Sequence, residues 1–78
     1  MATNAKTELK RSLTIAGHRT SLSLESEFWE ALKKAAGEDK KSLAALVGAI
    51  DASREGRNLS SAIRVWILSR SLHRHGLH

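Results

Sequence analysis

Arg19, Ser21 and Ser23 stand at alternate positions near the start of the chain and are its residues best suited to meeting a ligand. Arginine offers a planar fork of donors, and the two serines offer hydroxyls that donate or accept. The set suits hydrogen bonding to flat polar edges rather than bond breaking. No nucleophile, base and orienting acid stand in a recognisable arrangement, and the glycine-bearing loops are too short to cradle a nucleotide, so the chain is not read as an enzyme. His73, His75 and His78 lack a carboxylate or cysteine partner and read as a surface tail rather than a metal site. No cofactor is expected.

The three residues owe their common orientation to the alternation around them. Thr20, Leu22 and Leu24 point one way and Arg19, Ser21 and Ser23 the other, the period-2 pattern of a half-buried strand over about 18–24. At Phe28 the period changes. Phe28, Leu32, Ala35 and Ala36 follow helical spacing, which predicts a helix over about 26–36 with Glu27 and Glu30 toward its start, Lys33 and Lys34 toward its end, and Gly37 as its stop. After a short charged loop, Ser42 reads as the N-cap of a second helix, about 42–54, whose stripe is Leu43, Leu46, Val47 and Ile50. Asn58 or Ser60 can cap a third helix over about 59–73. That helix is apolar on two sides, with Ala62, Ile63, Trp66 and Ile67 on one and Val65, Leu68 and Leu72 on the other, so its second side is assigned to another subunit. Trp29 and Trp66 read as core or interface anchors.

A lone strand leaves its backbone groups unpaired, so the strand needs a partner. Residues 11–16 also alternate, but their apolar members, Leu13 and Ile15, are odd-numbered whereas Leu22 and Leu24 are even-numbered. The flip requires a turn, bulge or break, which Gly17 tolerates, and leaves two readings open: a hairpin within one chain, or an arm ahead of a strand that pairs with its copy in a second chain. The second is favoured. With 78 residues and no cysteine, the chain is near the lower limit for a self-sufficient core and has no disulfide to help it, which points to oligomerisation. Residues 1–10 read as a disordered basic arm and 11–78 as one domain. No apolar run is long enough for a membrane span or a signal peptide, so a soluble cytoplasmic protein is expected. Net charge is +5, divided as +3 over residues 1–24, −2 over 25–55 and +4 over 56–78. Basic ends around a polar-faced strand suit a polyanion such as nucleic acid.

The run from Thr20 through Leu32, followed by Lys41-Ser42-Leu43-Ala44-Ala45-Leu46-Val47, resembles the ribbon-helix-helix family of bacterial transcription regulators. Residues 11–25 together with Asn58-Leu59-Ser60-Ser61-Ala62-Ile63-Arg64-Val65 are similar, more narrowly, to a small alphaproteobacterial branch of it. The resemblance implies a mainly α fold with one short N-terminal strand, an intertwined homodimer whose two strands pair as an antiparallel ribbon, and an additional C-terminal helix. It further implies a regulator, and by expectation a repressor, that binds double-stranded DNA by inserting the ribbon into the major groove. Arg19, Ser21 and Ser23 would face the bases, Lys40, Lys41 and Ser42 at the start of the second helix would hold a phosphate, and Arg11 would add a basic contact. Thr20, Leu22, Leu24, Leu46, Ile50 and Trp66 would form the dimer interface. Residues 58–63 also look like the start of a second family helix; 42–50 is preferred for that role because it follows the first helix after a short loop. The rival function is an antitoxin-like or adaptor dimer that binds a protein through its third helix or tail.

Overall fold

Ala16 and Gly17 decide how the chain begins. Both take positive φ, 51° and 83°, the pairing of a two-residue type I′ turn, whose twist matches that of the strands it joins. In the computed structural model, which describes residues 8–74, this turn links β1 (Glu8–Ile15) to β2 (His18–Glu25) as an antiparallel hairpin. Ile15 pairs with His18 at the turn and Glu8 with Glu25 at the open end. The partner of β2 is therefore the chain's own N-terminal segment, where the sequence reading favoured a second chain and counted one strand. The reason lies in the parity flip. A two-residue turn sets odd residues of β1 against even residues of β2, so Leu13 and Ile15 share a face with Thr20, Leu22 and Leu24. Strand β1 takes in Glu8, Leu9 and Lys10 from the segment read as an arm; residues 1–7 of that arm lie outside the described residues.

Three helices close over the inner face of the hairpin: α1 (Ser26–Glu38), α2 (Leu43–Ala52) and α3 (Leu59–Arg74). The core joins Ile15, Leu22 and Leu24 of the hairpin to Trp29 and Leu32 of α1, Leu46, Val47 and Ile50 of α2, and Ile63 of α3. Each such side chain contributes roughly 1.5–3 kcal/mol when fully buried. Leu22, Leu24, Leu46 and Ile50, read from sequence as dimer contacts, are at most 3% exposed within this one chain. Their own chain supplies the apolar cover that the sequence reading assigned to a partner. Thr20 and Trp66 are only half-buried. Trp29, 1% exposed, donates its indole N–H to the Leu9 carbonyl at 2.9 Å and so pins β1 to α1.

Helix α1 does not stop at Gly37. It continues to Glu38, and the left-handed residue that ends it is Lys40, at φ 57°. The Lys40 N–H bonds Gly37 O at 3.2 Å and the Lys41 N–H bonds Ala36 O at 2.9 Å, the paired bonds of a Schellman motif with lysine where glycine is usual. The last residues of the helix are held from outside, because Arg70 of α3 reaches Glu38 at 3.1 Å and Asp39 at 3.0 Å. These carboxylates, Asp39 first, raise the Arg70 pKa. Ser42 accepts from the Ala45 N–H at 3.0 Å and caps α2, and Asn58 accepts from the Ser61 N–H at 2.8 Å and caps α3. The outer side of α3 leaves Val65, Leu68 and Leu72 between 39% and 57% exposed.

Candidate nucleic-acid interface

The hairpin register builds the site. Lys10 stands opposite Ser23, Ser12 opposite Ser21, and Thr14 opposite Arg19. Since side chains alternate, these six share the face away from Leu22 and Leu24. Five are exposed and Ser23 is half-buried. One chain thus presents a two-stranded ribbon with a cation near each end of its polar face. Lys10, Ser12 and Thr14 were not among the residues singled out from sequence; the parity flip across 16–19 was the signal that could have found them. Arg11 is not brought to this face. It stands opposite Leu22, with its guanidinium 5.2 Å from the centre of the Trp29 ring, where it covers the core rather than the ribbon's polar side.

At the open end of the hairpin Glu8 and Glu25 face each other across the strands, a like-charge pair that costs stability when left alone. Arg64 of α3 answers both, its Nε 2.9 Å from Glu25 Oε1 and its Nη2 3.9 Å from Glu8 Oε2. The Glu25 carboxyl is held below its ordinary value of 4.5 by a backbone hydrogen bond first and by Arg64 second. One turn earlier the Ser60 hydroxyl donates to the Ser23 carbonyl at 3.1 Å. The start of α3 and the edge of β2 away from β1 enclose a shallow cleft of about 410 Å³, with Thr20, Ser21, Ser23, Asn58, Ser60 and Arg64 in its walls.

Lys40 and Lys41 are exposed on the α1–α2 connection, and the Ser42 hydroxyl is used in capping α2. Among the described residues, no hydrogen bond or ion pair joins these three to the ribbon. The helix start that the structure sets beside Ser21 and Ser23 is that of α3.

A ribbon of two strands about 4.8 Å apart fits a groove about 12 Å wide, the width of the DNA major groove. Exposed hydroxyls and a guanidinium on its outer side can bond base edges, which differ there from one base pair to the next. Among the described residues no cluster of histidine or acidic side chains could hold a metal ion, and no helix is long and apolar enough to cross a membrane. Searches of characterised proteins and of solved structures find no match. A family model described as a ribbon-helix-helix domain matches residues 8–71, taking in the hairpin and nearly all of the three helices. On that match the chain belongs to the ribbon-helix-helix family, whose domains generally bind DNA as transcription regulators, act as dimers and are typically not enzymes.

Proposed function

We propose that this protein is a sequence-specific DNA-binding regulator, acting as a repressor, that reads the major groove with the polar face of its hairpin. The observation that carries the reading is the register, which collects Arg19, Ser21 and Ser23 with Lys10, Ser12 and Thr14 on one exposed face. Arg19 is assigned to a base, because only a guanidinium matches the two acceptors of guanine; Ser21 and Ser23 fit the groove with looser discrimination. Lys40 and Lys41, with the free N–H groups at the start of α2, are assigned to the phosphate backbone. A cytoplasmic place of work follows from the DNA target. Selecting bound sequences from a random DNA pool tests the proposal. Enrichment of a defined site supports it, and a pool that stays random at low salt sinks it.

For the homodimer, the exposed side of α3 is the surface that supports a contact without disturbing the hairpin. Val65, Leu68 and Leu72 follow the 3-and-4 spacing of a helix-pairing seam, and Phe28 lines an apolar groove beside them. An intermolecular β2 ribbon would instead have to form on the other edge of β2, where Ser60 now bonds the Ser23 carbonyl, or displace β1 from its eight-residue pairing. Sedimentation of Leu68→Lys separates the two: a folded monomer assigns the dimer to α3, and an intact dimer assigns it to strand pairing. The same apolar seam is the feature that favours the rival reading of a protein-binding module, which predicts association without salt-sensitive DNA binding.

A further inference from the structure

We propose that Arg64 makes the ribbon fit to meet a polyanion by offsetting one of the two negative charges that the carboxylates place at its foot, so that α3 sets the strength of binding without touching a base. This rests on the hairpin being the DNA-reading face. Glu8 and Glu25 stand on the same side of the hairpin as Lys10, Arg19, Ser21 and Ser23, as the alternation along each strand requires. Left alone, they would put two negative charges at the end of a surface that approaches phosphates, within the roughly 8–10 Å over which charges act at moderate salt. A single side chain from an element more than thirty residues away answers both, at 2.9 and 3.9 Å, and it is steadied on its other side by the Phe28 ring, 5.8 Å from the guanidinium carbon. Ser60 fixes the same turn of α3 to the backbone of Ser23, which keeps Arg64 at the hairpin's base rather than in solvent.

The test is a charge swap read by DNA affinity, with melting temperature as a check on folding. Arg64→Ala should weaken binding on the order of tenfold at low salt, on preferred and unrelated DNA alike, with the loss shrinking as salt rises. Adding Glu25→Gln to Arg64→Ala should recover most of that loss. Adding Glu30→Gln instead should recover little, although it restores the same net charge, because Glu30 lies on exposed α1 beside Lys33. Equal recovery by the two acids would reduce the effect to net charge and overturn the proposal, and so would undiminished binding by Arg64→Ala. Should Arg64→Ala fail to fold, Glu25→Gln and Glu30→Gln in the otherwise unchanged protein decide the matter: Glu25→Gln must raise affinity more, and equal effects overturn the proposal. Wild-type protein that binds no DNA at low salt would show a different failure, that of the DNA reading itself.

Discussion

The two strands of the hairpin exchange the same ladder of hydrogen bonds yet face opposite demands. On its inner side β2 carries Leu22 and Leu24, 3% and 0% exposed. At the paired positions β1 carries Arg11 and Leu9, both exposed, and only Ile15 near the turn is fully buried. Strand β2 is held by the core along its inner side, whereas β1 is held by the core only near the turn, through Ile15 and Leu13, and elsewhere by its ladder and the Trp29 hydrogen bond to Leu9. A strand fixed mainly by backbone bonds can vary its side chains at little cost, which leaves β1 free to supply half of the polar face.

The sharpest way to break this contrast is to place a charge at paired positions. Leu24→Asp should cost more than about 4 kcal/mol and leave the chain unfolded, because that position is 0% exposed and stands opposite Leu9, so a carboxylate there has no partner and no water. Leu9→Asp, directly across from buried Leu24 but itself 40% exposed, should cost about 1 kcal/mol or less. Urea unfolding followed by circular dichroism compares them, and similar losses would show that β1 is as deeply held as β2. On the outer face, Arg19→Ala should cost about 1–3 kcal/mol on the preferred DNA site and less on unrelated DNA. Lys10→Ala should cost less and act on both alike, as expected of a point charge near phosphates. Fluorescence anisotropy on the two DNAs across a salt series reads the ratio; a specificity change from Lys10→Ala would reverse the roles of the strands.

Smaller effects test the joints of the hairpin. Ala16→Asn should stabilise the fold by up to about 1 kcal/mol, since asparagine tolerates the left-handed conformation that alanine resists. At the other end, the contribution of Glu25 is governed by acid. Its folded pKa lies below its unfolded one, so the stabilisation is complete above the ordinary carboxylate value and is lost as pH falls through the lowered one. Acid titration of Glu25→Gln against wild type should show the two converging at low pH, and parallel curves would mean that the carboxylate's ionisation contributes nothing to the fold.

Strand β2 could be read from sequence because one side of it is buried and the other is not, so alternation survives in the residue types. Strand β1 was legible only in part: Leu13 and Ile15 marked an alternation over 11–16, but Arg11 occupies an inward position and Leu9 is exposed, so the pattern did not carry back to Glu8. What the sequence did carry was the change of parity, which fits a two-residue turn but also fits a break. The choice between them depended on Ala16 taking a conformation that alanine seldom adopts. The end of α1 was placed two residues short for a related reason: glycine favours a stop at 37, but the tertiary contacts of Arg70 with Glu38 and Asp39 hold the helix through Glu38. The polar face was half legible, with Arg19, Ser21 and Ser23 apparent on β2, while Lys10, Ser12 and Thr14 join it only on the hairpin reading, which was left open but not preferred. Arg64 was beyond reach, since nothing in its neighbourhood of sequence mentions the two acids it serves.

Helix α3 is fastened at three levels: by Ser60 to β2, by Arg64 to the base of the hairpin, and by Arg70 to the end of α1. The last helix of a small domain is ordinarily the first to fray, and its amides exchange with solvent well ahead of those in the core. Here the fastenings reach elements that are themselves joined through the core, so α3 cannot open in steps without releasing each of them. Its middle amides should exchange with those of β2 as one cooperative unit, and the polar face of the hairpin and the helix last in sequence would then share a single lifetime.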